Sequence, residues 1–249
     1  MKSGPWTYAL DPIKFAVEQL QLRPDPKQAL VLGRTAPRGL LNCTRQWGKS
    51  TITAAKAVHR AVFEPRSLTV VLTPSARQSG EFLRKAAGFL RLLDIPERGD
   101  GDNEMSLLFP SGSRIVGLPG TEGTIRGFSA VSLLLIDEAA RVNDETYKAA
   151  SPMRAVGEGD LWLMSTPFGK RGFFWDTWAG PDQRWQRIES PAPECPRISP
   201  DFLQQERESL GERSFRQEYM CEFGSDDASL FDRDLIDAAL SKDLEPLLL

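Results

Sequence analysis

The chain has 249 residues, of which 41% are hydrophobic and 26% are charged, and its formal net charge at pH 7 is −3. This is enough for one large α/β core with a small appended subdomain, and the acidic balance argues against a static nucleic-acid coat, which is usually basic. Three widely spaced cysteines without a CxxC pair, together with a single histidine, argue against a disulfide framework and a zinc site.

The sequence has no run near the roughly 18 apolar residues of a membrane-spanning helix, and its first residues lack the features of a signal peptide. We therefore expect a reduced, cytosolic protein that has no membrane contact.

The first half of the chain alternates predicted helices and strands. Residues 1–38 are rich in proline, and an apolar face predicts a helix over 13–22. Apolar runs predict strands at 39–43 and 68–72, and breaker-free helical spacing predicts helices at 50–63 and 76–93. This alternation is typical of a parallel sheet.

The second half continues the same pattern and then becomes helical. A hairpin is predicted from 105–109 and 113–118 across Pro110-Ser111-Gly112, followed by strands at 131–136, 161–164 and 185–188. Asn143 or Asp144 is suited to cap an intervening helix, and the pattern from Ser199 onward is helical only. We predict a mostly parallel α/β sheet covered on both faces. Residues 1–195 would form the core with an N-terminal extension, and 196–249 a helical lid and linker.

A candidate phosphate-binding loop lies between the first predicted strand and the helix after it. It reads Cys43-Thr44-Arg45-Gln46-Trp47-Gly48-Lys49-Ser50-Thr51. We expect Lys49 to reach the β- and γ-phosphates, Ser50 to bind Mg²⁺ and Gly48 to allow close backbone approach. Cys43 replaces the first glycine of the G-x-x-x-x-G-K-[ST] pattern, and an ordinary strand–helix turn is the alternative interpretation.

The second candidate element is an apolar strand, 133–136, that ends in Asp137-Glu138. We expect Asp137 to hold Mg²⁺ and Glu138 to act as the general base that polarises the attacking water. The alternative is a strand followed by an acidic helix cap. A glutamate directly after the aspartate favours an ATPase with a catalytic glutamate over a kinase or small GTPase.

Four further residues are candidates for completing an ATPase site. Thr166, in Ser165-Thr166-Pro167, follows a predicted strand and is placed either to sense the γ-phosphate or to cap a helix. Arg126, flanked by Gly127, is either an arginine finger or a surface arginine. Arg45 is a candidate γ-phosphate contact, and Gln28 a candidate for reading the adenine edge.

These residues, in this order, resemble the phage terminase large subunit. The loop Arg45-Gln46 before Gly48-Lys49-Ser50 is similar to that family's variant phosphate loop, and the segment from Phe215 to Phe223 with Ala228-Ser229-Leu230-Phe231 resembles the end of its ATPase domain. The resemblance implies a three-layer ASCE-type (RecA-like) P-loop NTPase fold with a C-terminal lid.

The resemblance also implies ATP- and Mg²⁺-dependent translocation of double-stranded DNA into a procapsid. It implies a homo-oligomeric ring docked on the portal protein, a small terminase subunit as partner, and a site of action in the host cytoplasm and transiently on the procapsid portal. The isolated domain could be monomeric. Roles implied by the family are phosphate and Mg²⁺ binding for Lys49 and Ser50, Mg²⁺ binding for Asp137, general base for Glu138, coupling for Thr166 and a finger acting in the neighbouring subunit for Arg126.

Family members carry a second, nuclease domain that cuts DNA with clustered carboxylates. The acids near the C-terminus form a solvated face without a sheet to carry them, so we expect no nuclease activity; they are Asp226, Asp227, Asp232, Asp234 and Asp237. The alternatives are a helicase-like ATPase acting on single strands, a regulatory nucleotide-binding module without turnover, and a plain α/β binding domain.

Overall fold

The computed structural model describes residues 5–33, 36–103, 105–120, 125 and 127–224, and its centre is a seven-stranded sheet. The strands are β1 Arg38–Cys43, β2 Leu68–Thr73, β3 Ser106–Leu108, β4 Arg114–Pro119, β5 Leu133–Asp137, β6 Asp160–Ser165 and β7 Gln186–Ser190. Their order across the sheet is β3-β4-β2-β5-β6-β1-β7.

All neighbouring strands are parallel except β3, which runs antiparallel to β4. The strand β6 therefore separates β1, which precedes the phosphate loop, from β5, which ends in the acidic pair. Parallel strands place their carboxyl ends at one edge of the sheet, so both motifs meet at the same edge.

The α-helices in the described residues are α1 Pro5–Leu10, α2 Pro12–Glu18, α3 Pro26–Leu32, α4 Lys49–Phe63, α5 Ala76–Leu92, α6 Asp144–Ala150, α7 Gly172–Ala179 and α8 Pro200–Met220. Short 3₁₀ turns cover Ala139–Arg141, Ser151–Arg154 and Ala192–Glu194. Helix α8 is broken at Gly211, whose φ of 73° and ψ of 159° are not helical.

Two apolar clusters cover the two faces of the sheet, and this gives the three-layer α/β fold that the sequence predicts. One cluster packs α2, α4 and α5 around residues such as Phe15, Val58 and Phe82. The other includes Met153 and Phe174. Gly39 in β1 permits close packing against Trp162 of the first cluster, because a Cβ at Gly39 would lie 2.2 Å from the indole ring.

The predicted strands, the hairpin and the helices after β1 and β2 are confirmed with small shifts at their ends. The helix predicted over 13–22 is wrong in its length: it ends at Glu18, and Gln21 has a left-handed φ of 54°. Sequence reasoning missed α1, α3 and α7. Among the described residues, no helix combines the length and the apolar character needed to cross a membrane.

Candidate functional site

The loop between β1 and α4 has the backbone shape of a phosphate cradle. Gln46 and Gly48 have left-handed φ angles of 61° and 98°, which turn the chain sharply before α4 begins. Trp47 anchors the loop, because its side chain is buried in the core. Its carbonyl accepts hydrogen bonds from Gln28 (2.7 Å) and Arg197. The loop therefore presents backbone N–H groups beside a helix N-terminus, which is a favourable site for anions.

Lys49 is buried at the base of this loop. Its Nζ donates to the backbone carbonyl oxygens of Cys43 (2.7 Å) and Thr44 (3.0 Å). Within the described part of the chain, this ammonium group forms no ion pair with a carboxylate, so it can transfer its hydrogen bonds to a phosphate oxygen at little electrostatic cost.

Ser50 and Asp137 join the loop to the end of β5. The Ser50 hydroxyl donates to Oδ2 of Asp137 at 2.8 Å, and the Asp137 side chain is buried. A hydroxyl and a carboxylate are oxygen ligands of the kind that Mg²⁺ accepts, with water and substrate phosphates filling the other positions. The described residues contain no group of three or more His, Cys, Asp or Glu that could hold a metal. One hydroxyl and one carboxylate fill only part of a Mg²⁺ coordination shell, so these two donors fit an ion that also binds a phosphate.

Glu138 leaves β5 in a left-handed conformation, with φ of 52°, at the start of the 3₁₀ turn Ala139–Arg141. Glu138 lines the cavity, whereas Asp137, one residue earlier, does not. Burial raises the pKa of Glu138 and the neighbouring Asp137 charge raises it further, whereas the cations of Lys49, Arg141 and Arg45 oppose the shift. Positive φ at a residue other than glycine is costly, and it persists where the surrounding structure holds the residue in place.

Lys49, Ser50 and Glu138 line a cavity of about 690 Å³, and Asp137, which does not line it, is joined to it by the hydrogen bond from Ser50. This volume lies within the ~300–1,000 Å³ that is usual for small-molecule sites. Its described lining has five cationic side chains and one carboxylate: Arg23, Arg45, Lys49, Lys85, Arg197 and Glu138. Such an excess of positive charge favours a polyanionic ligand.

The cavity brings together most of the residues predicted from the sequence. Its lining includes Gln28, Arg45, Gln46, Trp47, Gly48, Lys49, Ser50, Thr51 and Glu138. Thr44 does not line it, and its hydroxyl instead donates to the Glu218 carbonyl at 3.1 Å. Arg126 and the C-terminal acids at 226–237 lie outside the described residues.

Gln28 has a structural task that sequence reasoning did not foresee. Its Oε1 accepts from the backbone N–H of Asp25 (3.1 Å), and the Asp25 carboxylate accepts from the Gln28 N–H (2.8 Å), which together form a capping box at the start of α3. Its Nε2 donates to Trp47. Both ends of the amide are therefore bonded within the protein, and its predicted role in reading adenine stays a prediction.

Sequence reasoning also missed a set of charged and polar groups that meet at Arg141, next to Glu138. Arg141 Nη1 donates to Glu138 (3.1 Å) and to the hydroxyl of Thr166 (3.2 Å). Its Nη2 donates to Glu218 in α8 at 3.3 Å. Thr166 does not cap a helix, because α7 begins six residues later with Arg171 at its N-cap position. The sequence offered one signal for the contact between Arg141 and Glu138, since Arg141 follows Glu138 by three residues in the segment 137–141.

Arg23, Lys85 and Arg197 are further lining residues that no motif indicated. They come from the linker before α3, from α5 and from the segment after β7, so only the folded chain brings them to the same cavity.

Known proteins resemble this chain in sequence family and in fold. A family model described as "Terminase large subunit, T4likevirus-type, N-terminal" matches residues 40–238. Among solved structures, the chain is similar to the large terminase ATPase domain of Thermus phage P74-26, with a TM-score of 0.76 and 21% identity over 86% of this chain and 100% of that one.

It is also similar to the large terminase of bacteriophage HK97, with a TM-score of 0.72 and 17% identity over 92% of this chain and 58% of that one. A third similar structure is the large terminase of a thermophilic bacteriophage in complex with ADP, with a TM-score of 0.66 and 12% identity over 80% of this chain and 53% of that one. The chain thus spans little more than half the length of these two large terminases.

Proposed function

Since the chain belongs to the T4-like-virus type of terminase large subunits and is an ATPase domain of that family, we propose that it hydrolyses Mg²⁺-ATP to drive double-stranded DNA into a viral procapsid. The observation that carries this proposal is that Lys49, Ser50 and Glu138 line one cavity rich in cationic side chains, and that the Ser50 hydroxyl donates to Asp137. The similar large terminase from the thermophilic bacteriophage binds ADP, and this supports a nucleotide as the ligand.

The chain's own groups are suited to hydrolysis of the terminal phosphate. Lys49 exchanges its two carbonyl partners for β- and γ-phosphate oxygens, while the loop N–H groups bind the remaining phosphate oxygens. The Glu138 carboxylate accepts a proton from water as the water oxygen attacks the γ-phosphorus. The bond between that phosphorus and the bridging oxygen breaks, and ADP and inorganic phosphate leave.

Ser50 and Asp137 would hold the Mg²⁺ ion, which neutralises the charge that develops on the phosphate oxygens. Arg45 and Gln28 both line the cavity. In this proposal Arg45 would contact the γ-phosphate, and Gln28 would read the adenine edge. Thr166 would couple the state of the γ-phosphate to the rest of the domain, and its hydroxyl accepts from Arg141, the residue that also donates to Glu138.

The proposed assembly follows from family membership. Residues 1–195 would act as the core and 196–249 as the lid and linker. Several copies would form a ring on the portal protein of a procapsid in the host cytoplasm, with the small terminase subunit as a further partner. Arg126 of one copy would stabilise the transition state in the active site of its neighbour.

Steady-state ATP hydrolysis over a range of protein concentrations tests this proposal. We expect turnover per subunit to rise with concentration, and both Glu138→Gln and Arg126→Ala to lower it by at least roughly a hundredfold. Glu145→Gln is the matched control, because it neutralises an exposed acid in α6.

Hydrolysis that is unchanged in Glu138→Gln would refute the assignment of the general base. Tight nucleotide binding without turnover at any concentration would favour a regulatory module. Stimulation by single-stranded but not by double-stranded DNA would favour the helicase-like alternative.

A further inference from the structure

The guanidinium of Arg141 lies at the centre of four groups from different parts of the chain. Nη1 donates to the Glu138 carboxylate and the Thr166 hydroxyl, and Nη2 donates to the Glu218 carboxylate. The plane also lies over the ring of Phe168, with 5.0 Å from its central carbon to the ring centroid. A guanidinium held on so many sides has a fixed orientation, and it fixes the groups that it contacts.

Glu218 ties α8 to the same region by further contacts. Its Oε2 lies 2.8 Å from Nε of Arg45, and its backbone carbonyl accepts from the Thr44 hydroxyl at 3.1 Å. The second part of α8, after Gly211, is therefore attached at Glu218 both to the phosphate loop and to Arg141. The side chain of Glu218 is 17% exposed, so water screens this contact only in part.

Arg141 does not belong to the lining of the nucleotide cavity, although Glu138 does. Its Nη1 donates to the Glu138 carboxylate, and its Nη2 donates to the Glu218 carboxylate of α8. A residue placed in this way can orient the general base without touching the nucleotide.

We propose that Arg141 is a positioning residue that holds Glu138 in place and links it, together with Thr166, to the lid helix α8 through Glu218. This inference rests on the proposed function for the role of Glu138, but the link to α8 does not depend on turnover. When Glu138 or Thr166 changes its contacts during the ATPase cycle, Arg141 changes its hold on Glu218, and α8 responds.

Steady-state kinetics test the positioning role. We expect Arg141→Ala to lower kcat by roughly ten- to a hundredfold while KM for ATP stays within about twofold, because a misplaced base slows chemistry without weakening binding. Arg141→Lys should recover part of kcat, and Arg141→Gln should recover less, since lysine keeps the charge that faces Glu138.

Arg171→Ala is the matched control. Arg171 lies over the same Phe168 ring at 5.3 Å, so the variant removes a cation from that ring but leaves Arg141 beside Glu138. A kcat of Arg141→Ala within twofold of the parent chain would overturn the positioning role, as would a KM that rises as much as kcat falls.

Hydrogen exchange of backbone amides tests the link to α8 independently. We expect the amides of residues 212–220 to exchange roughly tenfold faster in Arg141→Ala and in Glu218→Gln than in the parent chain. The double variant should exchange no faster than either single variant, because both changes break the same link. Residues 200–210 serve as the internal reference. Unchanged exchange in Arg141→Ala would refute the link. If the parent chain hydrolyses no ATP, the proposed function fails, and the exchange comparison still decides whether Arg141 holds α8.

Discussion

Replacing Cys43 by glycine restores the usual phosphate-loop pattern, yet we predict that it destabilises the protein and does not improve nucleotide binding. Cys43 is the last residue of β1, where its side chain is completely buried. The left-handed turns of the loop come later, at Gln46 and Gly48. The backbone at Cys43 is that of a strand, so a glycine relieves no strain there.

The expected loss of stability has two parts. Deleting the buried methylene and thiol removes about 1–1.5 kcal/mol of favourable burial. Glycine in the interior of an element costs a further ~0.5–1 kcal/mol in backbone entropy. We therefore expect the free energy of unfolding to fall by about 2 kcal/mol. The Cys43 carbonyl, which accepts the Lys49 hydrogen bond, is retained, so the affinity for ADP should stay within about threefold.

Urea unfolding and ADP titration measure the two effects in the same samples. Cys43→Ala separates them, because it removes the sulfur but keeps the Cβ, and it should show roughly half of the loss. A Cys43→Gly variant that is as stable as the parent chain would contradict the burial argument. A tenfold gain in ADP affinity would show that the loop does need the first glycine.

Lys49→Ala should raise the Kd for ATP at least tenfold, measured by displacement of a fluorescent nucleotide analogue, and an unchanged Kd would remove Lys49 from the site. Burial raises the pKa of Asp100, but hydrogen bonds from Asn103, Ser106 and Asp102 outweigh this and lower it to about 2. Because the folded-state pKa lies below the ordinary 3.8, the ionised Asp100 should add about 2 kcal/mol to the free energy of unfolding above pH 4. This contribution is lost as the pH falls towards 2. Urea unfolding should show that the parent chain and Asp100→Asn differ in their free energy of unfolding above pH 4, and that this difference shrinks as the pH falls. A difference that does not change with pH would refute the reasoning. Burial raises the pKa of Cys43 strongly and that of Cys221 to about 12, so iodoacetamide at pH 8 should modify both rapidly in urea but hardly in the folded state, as mass spectrometry would show.

The sheet and the phosphate loop were predictable because their signals are local. Each buried parallel strand is a short apolar run, and the loop motif lies between a strand and a helix that are contiguous in sequence. Helix α7 was missed because it has no polar face that would give a helical period, with Phe173, Phe174, Trp175 and Trp178 in eight residues. Helix α3 has only seven residues, and its start signal, the Asp25–Gln28 capping box, was missed because Gln28 was interpreted only as a candidate for reading adenine.

The charges around Glu138 could not be predicted for a different reason. With 31 basic and 34 acidic residues, the sequence does not determine which acid any one arginine will meet. Arg141 and Glu218 are 77 residues apart, and they meet because α8 returns to the edge of the sheet where β1 and β5 end. The chemistry of the site is thus encoded locally in its motifs, whereas the connection from that chemistry to helix α8 exists only in the folded chain. Variants at Lys49 and Glu138 test the former, and variants at Arg141 and Glu218 test the latter, so the two can fail separately.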